Sequence, residues 1–207
     1  MAVWRERLRG LAYDLGPGRW YQSAWRFIVA DVDLREGAWL DVGCGPGILC
    51  ALAASGNPSL DVVGIDISPG MLVQARQHKG GMLNVTLRQM DAAAIVYPEG
   101  TFHVATAIQS AHHWQDPAAI LREVHRVLVP GGRFYIYEAD PDGEIPEGWI
   151  DRQAGFPPEA LLRRRWRRFG MDQARWDGLK AKVEESPFGM DYVDERHGFY
   201  RRLVCTR

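Results

Sequence analysis

The chain has 207 residues, 46% of them apolar and 25% charged, with a formal net charge of −1. That length suffices for one well-cored domain plus a small appendage, and the balanced charge removes any global attraction to nucleic acid or an anionic membrane. No run of about 18 apolar residues occurs, so no spanning helix is expected; the N-terminal Trp4-Arg5-Glu6-Arg7 lacks an apolar signal core.

Residues 1–36 precede any strand–helix alternation and read as an N-terminal helical cap. From Gly37 onward strand and helix alternate. Ala38 to Val42 is the first expected strand. It runs into L-D-V-G-C-G-P-G (Leu40 to Gly47), where three glycines at alternate positions make a tight loop before a helix from Ile48 to Ala54. A backbone stripped of side chains can lie directly against a ligand. The spacing is G-x-G-x-G. Ile48 stands where a dinucleotide fingerprint has its third glycine, and no Lys-Ser/Thr pair follows as in a phosphate-cradling loop.

Val62 to Ile67 is the second strand. Ser68-Pro69 then gives an N-cap and a proline at the first helical position, and the helix should run to Lys79 and stop at Gly80-Gly81. Val85 to Arg88 and Phe102 to Ile108 are the third and fourth strands. Asp116-Pro117 repeats the cap-and-proline device before a helix with a 3.6-residue stripe of Ile120, Leu121, Val124, Val127 and Leu128. Pro130-Gly131-Gly132 should end that helix, with Arg133 to Tyr137 as the fifth strand. Alternation of this kind implies a parallel sheet covered on both faces. At the tail, Asp191 to Glu195 and Phe199 to Cys205 read as an antiparallel pair turning at His197-Gly198. Residues 1–36 and roughly 139–176, the latter Pro/Gly-rich and then arginine-rich, fall outside the pattern, and both are lid candidates.

Two acids extend the loop's signal. Asp66 closes the second strand about twenty residues beyond the glycines, where a carboxylate can accept both hydroxyls of a ribose; a capping role is the alternative, though Ser68 already serves it. Asp91 follows the third strand, where a carboxylate can accept from an adenine amino group; a turn aspartate competes.

Taken together, the L-D-V-G-C-G-P-G loop, G-I-D-I-S-P-G-M-L (Gly64 to Leu72), M-D-A (Met90 to Ala92), H-H-W-Q-D-P (His112 to Pro117) and L-R-E-V-H-R-V-L-V-P-G-G-R-F (Leu121 to Phe134) resemble successive motifs of the small-molecule class I S-adenosylmethionine (SAM)-dependent methyltransferases, broadly of the ubiquinone/menaquinone type. The resemblance covers Gly37 to Glu138. It implies an α/β, Rossmann-like seven-stranded sheet, mostly parallel with an antiparallel C-terminal strand and helices on both faces. Within one methyltransferase domain, 1–36 would be the cap, 37–138 the SAM-binding core, 139–176 a lid or insertion, and 177–207 a C-terminal helix and β-hairpin.

Carried over residue by residue, Asp41 with Gly43, Cys44, Gly45 and Gly47 would surround the methionine part of SAM. Asp66 would take the ribose, Ile67 and Met71 would lie against adenine, and Asp91 with the Ala92 backbone would read the adenine edge. Ala107 to Gln109 would pass beside the sulfonium. His112, His113 and Trp114 would face the substrate, and Tyr13 and Trp20 would close the pocket. Two positions depart from the family's pattern: Phe102-His103 replaces Phe-Asp, and Ala111 replaces the Leu before the histidine pair.

Methyl transfer from a sulfonium is an in-line displacement in which the cofactor supplies the reactive carbon. A hydroxyl or ring-carbon acceptor benefits from a base, and histidine suits neutral pH. His112 is the first candidate and His113 the second, against the alternative that both only shape the loop before Asp116, itself read as a helix cap. The expected products are a methylated small molecule and S-adenosylhomocysteine. Competing readings are a catalytically silent SAM-binding sensor or scaffold, an RNA methyltransferase and an NAD-dependent oxidoreductase.

The run Arg163 to Arg168 tempts a nucleic-acid reading, but Leu162, Trp166 and Phe169 share one helical stripe, so the arginines are expected on the wet faces. Nucleic acid is not an expected partner, and the chain should be a monomer or homodimer. Three cysteines (Cys44, Cys50, Cys205) without C-x-x-C spacing point to a reducing cytoplasm and no metal. The acceptor and the atom methylated are not encoded in any motif.

Overall fold

The computed structural model describes residues 21–149 and 158–207. Of these, 21–91 with 147–149 form one compact unit and 92–146 with 158–207 form another. The expected positions Tyr13 and Trp20 lie outside the described residues.

In the first unit, helix α1 (Gln22–Val32) buries Ala24, Trp25, Ile28 and Val32, and Phe27 stacks on Trp149 with ring centroids 4.9 Å apart. Three parallel strands follow with two crossover helices: β1 (Gly37–Val42), α2 (Ile48–Gly56), β2 (Leu60–Asp66), α3 (Pro69–Lys79) and β3 (Val85–Gln89). Leu40 to Val42 and Val62 to Ile65 are buried without interruption, as expected of parallel strands covered on both faces. Asp41 pairs in register with Gly64, and Asp66 with Gln89, so Asp66 stands where the strands end. The Ser68 side chain accepts from the Met71 N–H and Pro69 begins α3, as the sequence predicts.

The second unit contains β4 (Phe102–Ile108), a single 3₁₀ turn (Ala111–His113), α4 (Pro117–Val127), β5 (Leu128–Ala139), α5 (Glu159–Phe169), α6 (Gln173–Glu184), β6 (Tyr192–His197) and β7 (Tyr200–Thr206). Helix α4 buries the predicted stripe of Ile120, Leu121, Val124 and Val127, and Asp116 caps it by accepting from the Ala119 N–H. The helix's outer face fastens the preceding loop. Glu123 accepts from the Ile95 N–H, while Arg126 donates to the carbonyls of Ile95 and Tyr97 and to Glu123. That pairing with Arg126, first through its hydrogen bond, holds the Glu123 carboxyl below the usual carboxylate range.

Pro130-Gly131-Gly132 does not separate helix from strand. The helix passes at Val127 directly into β5, and the three residues form an irregularity inside it, where the β4–β5 register shifts between Phe102 and Val104. The cause is close packing: a Cβ on Gly132 would stand 2.8 Å from the Val129 carbonyl oxygen and 3.1 Å from that of His103. Strand β5 therefore starts five residues earlier than predicted, and Leu128 belongs to it.

Strand β4 is parallel to β5, while β7 runs antiparallel to both β5 and β6. The strand order is β3-β2-β1-β4-β5-β7-β6: a seven-stranded, mostly parallel Rossmann-like sheet closed by antiparallel C-terminal strands, as expected. In α5, Leu162 and Trp166 are buried and Arg164, Arg165, Arg167 and Arg168 are exposed; the side chain of Phe169 lies outside the described residues. No described helix is long and apolar enough to cross a membrane.

Candidate active site

In the first unit, the chain leaves β1 through a loop held by its own backbone. The N–H groups of Gly43 and Cys44 both donate to the Ile65 carbonyl at 2.9 Å, and the Gly47 N–H donates to the Cys44 carbonyl at 2.9 Å. All three glycines have positive φ, near +70°, +51° and +70°, a region in which side-chain-bearing residues are strained. Two of them serve different ends. A Cβ on Gly47 would stand 2.8 Å from the Ala75 Cβ, so this glycine lets α3 pack against the loop. A Cβ on Gly45 would meet nothing within 4 Å, so this glycine keeps a space clear. His78 Nδ1 lies 2.8 Å from the Pro46 carbonyl oxygen and ties the end of α3 to the loop.

Asp66 locks this edge. One of its oxygens accepts from the Gly45 N–H at 2.8 Å and the other from the Ser68 N–H at 2.8 Å. Each carboxylate oxygen has further lone pairs, so the group is oriented by the backbone and still able to accept from a ligand. Beyond it the apolar Ile67 is 68% exposed, an unsheltered platform of the kind a planar ring would cover. Met71 is half-buried, and Asp91, just past β3, is exposed with Ala92 beside it half-buried. Asp66, Ile67, Met71 and Asp91 thus all belong to the ends of β2 and β3 or to the start of α3.

Beneath the loop, Asp41 is buried and accepts from Cys50 Sγ at 3.4 Å. The bond with Cys44, reinforced by burial and the Asp41 charge, pushes the Cys50 thiol well up. For Cys44 the bond with Cys50 acts downward, but burial and the charges of Asp41 and Asp66 outweigh it and its thiol is also raised. Both sulfurs therefore remain protonated, a neutral floor rather than a nucleophile.

In the second unit, Ala107 is buried and Gln109, just past β4, has a left-handed φ of +49°. Its N–H donates to the Tyr137 carbonyl at 2.7 Å. The 3₁₀ turn then brings His112 onto the end of β5. His112 Nδ1 lies 2.8 Å from Glu138 Oε2, and the His112 N–H donates to Oε1 at 3.2 Å. Glu138 is fully buried. An ionised carboxylate can only accept, so Nδ1 donates to it, and in the neutral ring Nε2 is the nitrogen left as acceptor. Buried carboxylate, oriented imidazole and free Nε2 are the parts of a general base. Arg175, from the first turn of α6, donates to the His112 carbonyl at 2.8 Å and to that of Gly170 at 3.1 Å, fixing the turn from the other side. The exposed His113 ring is centred 3.9 Å from that of His112. Trp114 stacks on Phe134, which in turn stacks on Phe188.

Two residues escaped the sequence reading. Glu138 had a legible signal: like Asp66, it is an acid at the end of an apolar strand, F-Y-I-Y-E-A. Arg175 had none, because nothing local distinguishes it from other surface arginines.

Residues 40–136 match a family described as a methyltransferase domain. The chain is 37% identical over 173 residues to the ubiquinone biosynthesis O-methyltransferase of Methylococcus capsulatus, covering 74% of this chain and 71% of that protein. It is 33% identical over 131 residues to the demethylmenaquinone methyltransferase of Thermus thermophilus, covering 62% and 60%. The chain spans between 33% and 71% of the length of the curated relatives it matches. A crystal structure of a SAM-dependent methyltransferase from Aquifex aeolicus shares the fold, with a TM-score of 0.70, 17% identity and 97% of each chain covered.

Proposed function

This chain belongs to the small-molecule class I SAM-dependent methyltransferases, and from that premise we propose that it methylates a small acceptor whose proton is taken by His112. The observation that carries the proposal is the His112–Glu138 dyad. A protein that only sensed SAM would have no use for an imidazole fixed by a buried carboxylate with one ring nitrogen left as an acceptor.

SAM supplies an electrophilic methyl carbon on a sulfonium, and the remaining work falls to the protein. The clear space at Gly45 fits a ligand in close backbone contact. Asp66, already aimed by two backbone N–H groups, accepts the ribose hydroxyls. Ile67 and Met71 cover the adenine, Asp91 with the Ala92 backbone reads its edge, and Asp41, Gly43, Cys44 and Gly47 shape the methionine end. Ala107 and Gln109 are assigned to the sulfonium side, the strained Gln109 backbone being the kind of feature that clusters at functional sites. His112 Nε2 accepts the proton of the acceptor's nucleophile. Glu138 keeps the imidazole in the right tautomer and balances the imidazolium charge that develops.

The test has two parts. Titration calorimetry should show binding of SAM and S-adenosylhomocysteine and none of NAD. A screen of metabolite extracts with radiolabelled SAM should find an acceptor that His112→Ala turns over poorly while keeping the SAM affinity of the parent chain. Unchanged turnover in that variant removes the catalytic role, and tight SAM binding without transfer to any acceptor leaves a sensor or scaffold.

A further inference from the structure

Beyond the end of β5 lies a second cluster of charge, which proton abstraction does not use. In register, Arg201 on β7 stands opposite Glu138, and Arg196 on β6 stands opposite Arg201. The three positions share one face of the sheet. Two residues past Glu138, the fully buried Asp140 draws both guanidiniums. Arg196 Nε lies 2.8 Å from Oδ2, close enough for an ion pair though out of line for a hydrogen bond. Arg201 Nη2 reaches Oδ1 at a long 3.5 Å, an oxygen that also accepts from the Asp142 N–H at 3.1 Å. Arg201 is 9% exposed, and its Nη1 is buried with no hydrogen-bond partner. Arg175, held to the His112 carbonyl, forms no ion pair among the described residues.

Two guanidiniums thus converge on Asp140, two residues past Glu138, and a third lies on the His112 carbonyl. Glu138 is engaged with His112, and the buried Asp140 that Arg196 and Arg201 share meets both with poor geometry. Buried donors in native proteins are almost always paired, and an orphan calls for a missing partner. The arginine fork matches a carboxylate or a phosphate; of the two, a carboxylate is what these arginines already pair with at Asp140.

We infer that this cluster reads a carboxylate on the methyl acceptor, so that the acceptor is a small hydroxy acid. The inference rests on the methyl-transfer reading. Arg201, with Arg196 and Arg175, holds the acid group, while His112 Nε2 faces the hydroxyl. When the oxygen–methyl bond forms, the hydroxyl proton passes to Nε2 and the carboxylate stays ionised.

The three hydroxybenzoates and their methyl esters test it, by calorimetry on the full chain saturated with S-adenosylhomocysteine. At least one acid should bind about tenfold or more tightly than its ester, the scale of a charge-assisted pair. Arg201→Lys keeps the charge but loses the fork, and should cut that preference about tenfold. Arg196→Gln, at a side chain 64% exposed and so safe for folding, should cut it about threefold. Both variants should keep S-adenosylhomocysteine affinity, which shows that each is folded and that only the acceptor side has changed. Esters binding as well as acids, no acid binding at all, or a preference that survives both substitutions would overturn the inference. If S-adenosylhomocysteine itself does not bind, the methyl-transfer reading fails separately, and the acid–ester ratio is then measured on the free chain.

Discussion

The ends of β1 to β3 and the ends of β4, β5 and β7 are built from opposite materials. At the first, backbone N–H groups, three glycines and one aspartate form the edge, and the side chains there are short or apolar. At the second, the ordering contacts are between charged side chains: Glu138 with His112, and Asp140 with Arg196 and Arg201, with Arg175 on the His112 carbonyl. Backbone geometry suits a ligand whose shape never changes. Long charged side chains can be exchanged one at a time without disturbing a strand, which suits a ligand that differs from one enzyme to the next. On the proposed reading, one fold can thus keep its cofactor edge while its acceptor edge diverges.

Substitutions can break this contrast or sharpen it. The largest effect is expected from His112→Ala, which should lower turnover about a hundredfold or more while leaving SAM affinity within about twofold; steady-state kinetics and calorimetry on one preparation would show the split. A loss of SAM affinity instead would mean that the two edges do not divide the work. Gly47→Ala comes next. Its Cβ would strike the Ala75 Cβ at 2.8 Å in a left-handed backbone, so a destabilisation of about 2–3 kcal/mol should appear in urea unfolding.

Asp66→Asn should weaken SAM binding about tenfold to a hundredfold, since a neutral amide loses charge-assisted acceptance from Gly45, Ser68 and the ribose. Acceptor binding should stay as it was. The smallest effect belongs to Glu123, whose partners are Arg126 and the Ile95 N–H. Its carboxyl is depressed by Arg126, so its contribution is present above the unfolded carboxylate range and fades as pH falls through the folded value. Glu123→Gln should cost under about 1 kcal/mol near pH 7 at this partly exposed pair. Thermal midpoints of variant and parent should converge in acid, and a gap that persists there would assign the effect to packing.

The parts of the proposed cofactor edge are visible in the sequence because each is local. The glycine spacing, the acid ending β2, and the Ser68-Pro69 start of α3 are written in Asp41 to Met71. The acceptor edge was legible only at the histidine pair. His112 and Glu138 are 26 residues apart, Arg201 and Asp140 61 apart, and Arg175 and His112 63 apart. No periodicity links such positions. The Pro130-Gly131-Gly132 segment misled for a related reason: its local chemistry is that of a break, and pairing with β4 decided otherwise.

Hydrophobic period, caps and glycines determined the order of elements, the parallel sheet and the glycine bend after β1, because each acts within a few residues of itself. The partner of His112, the arginines paired with Asp140 and the register that sets Arg201 opposite Glu138 were decided by tertiary structure alone. Contacts across strands depend on which segments the sheet makes neighbours, and a linear chain does not carry that adjacency.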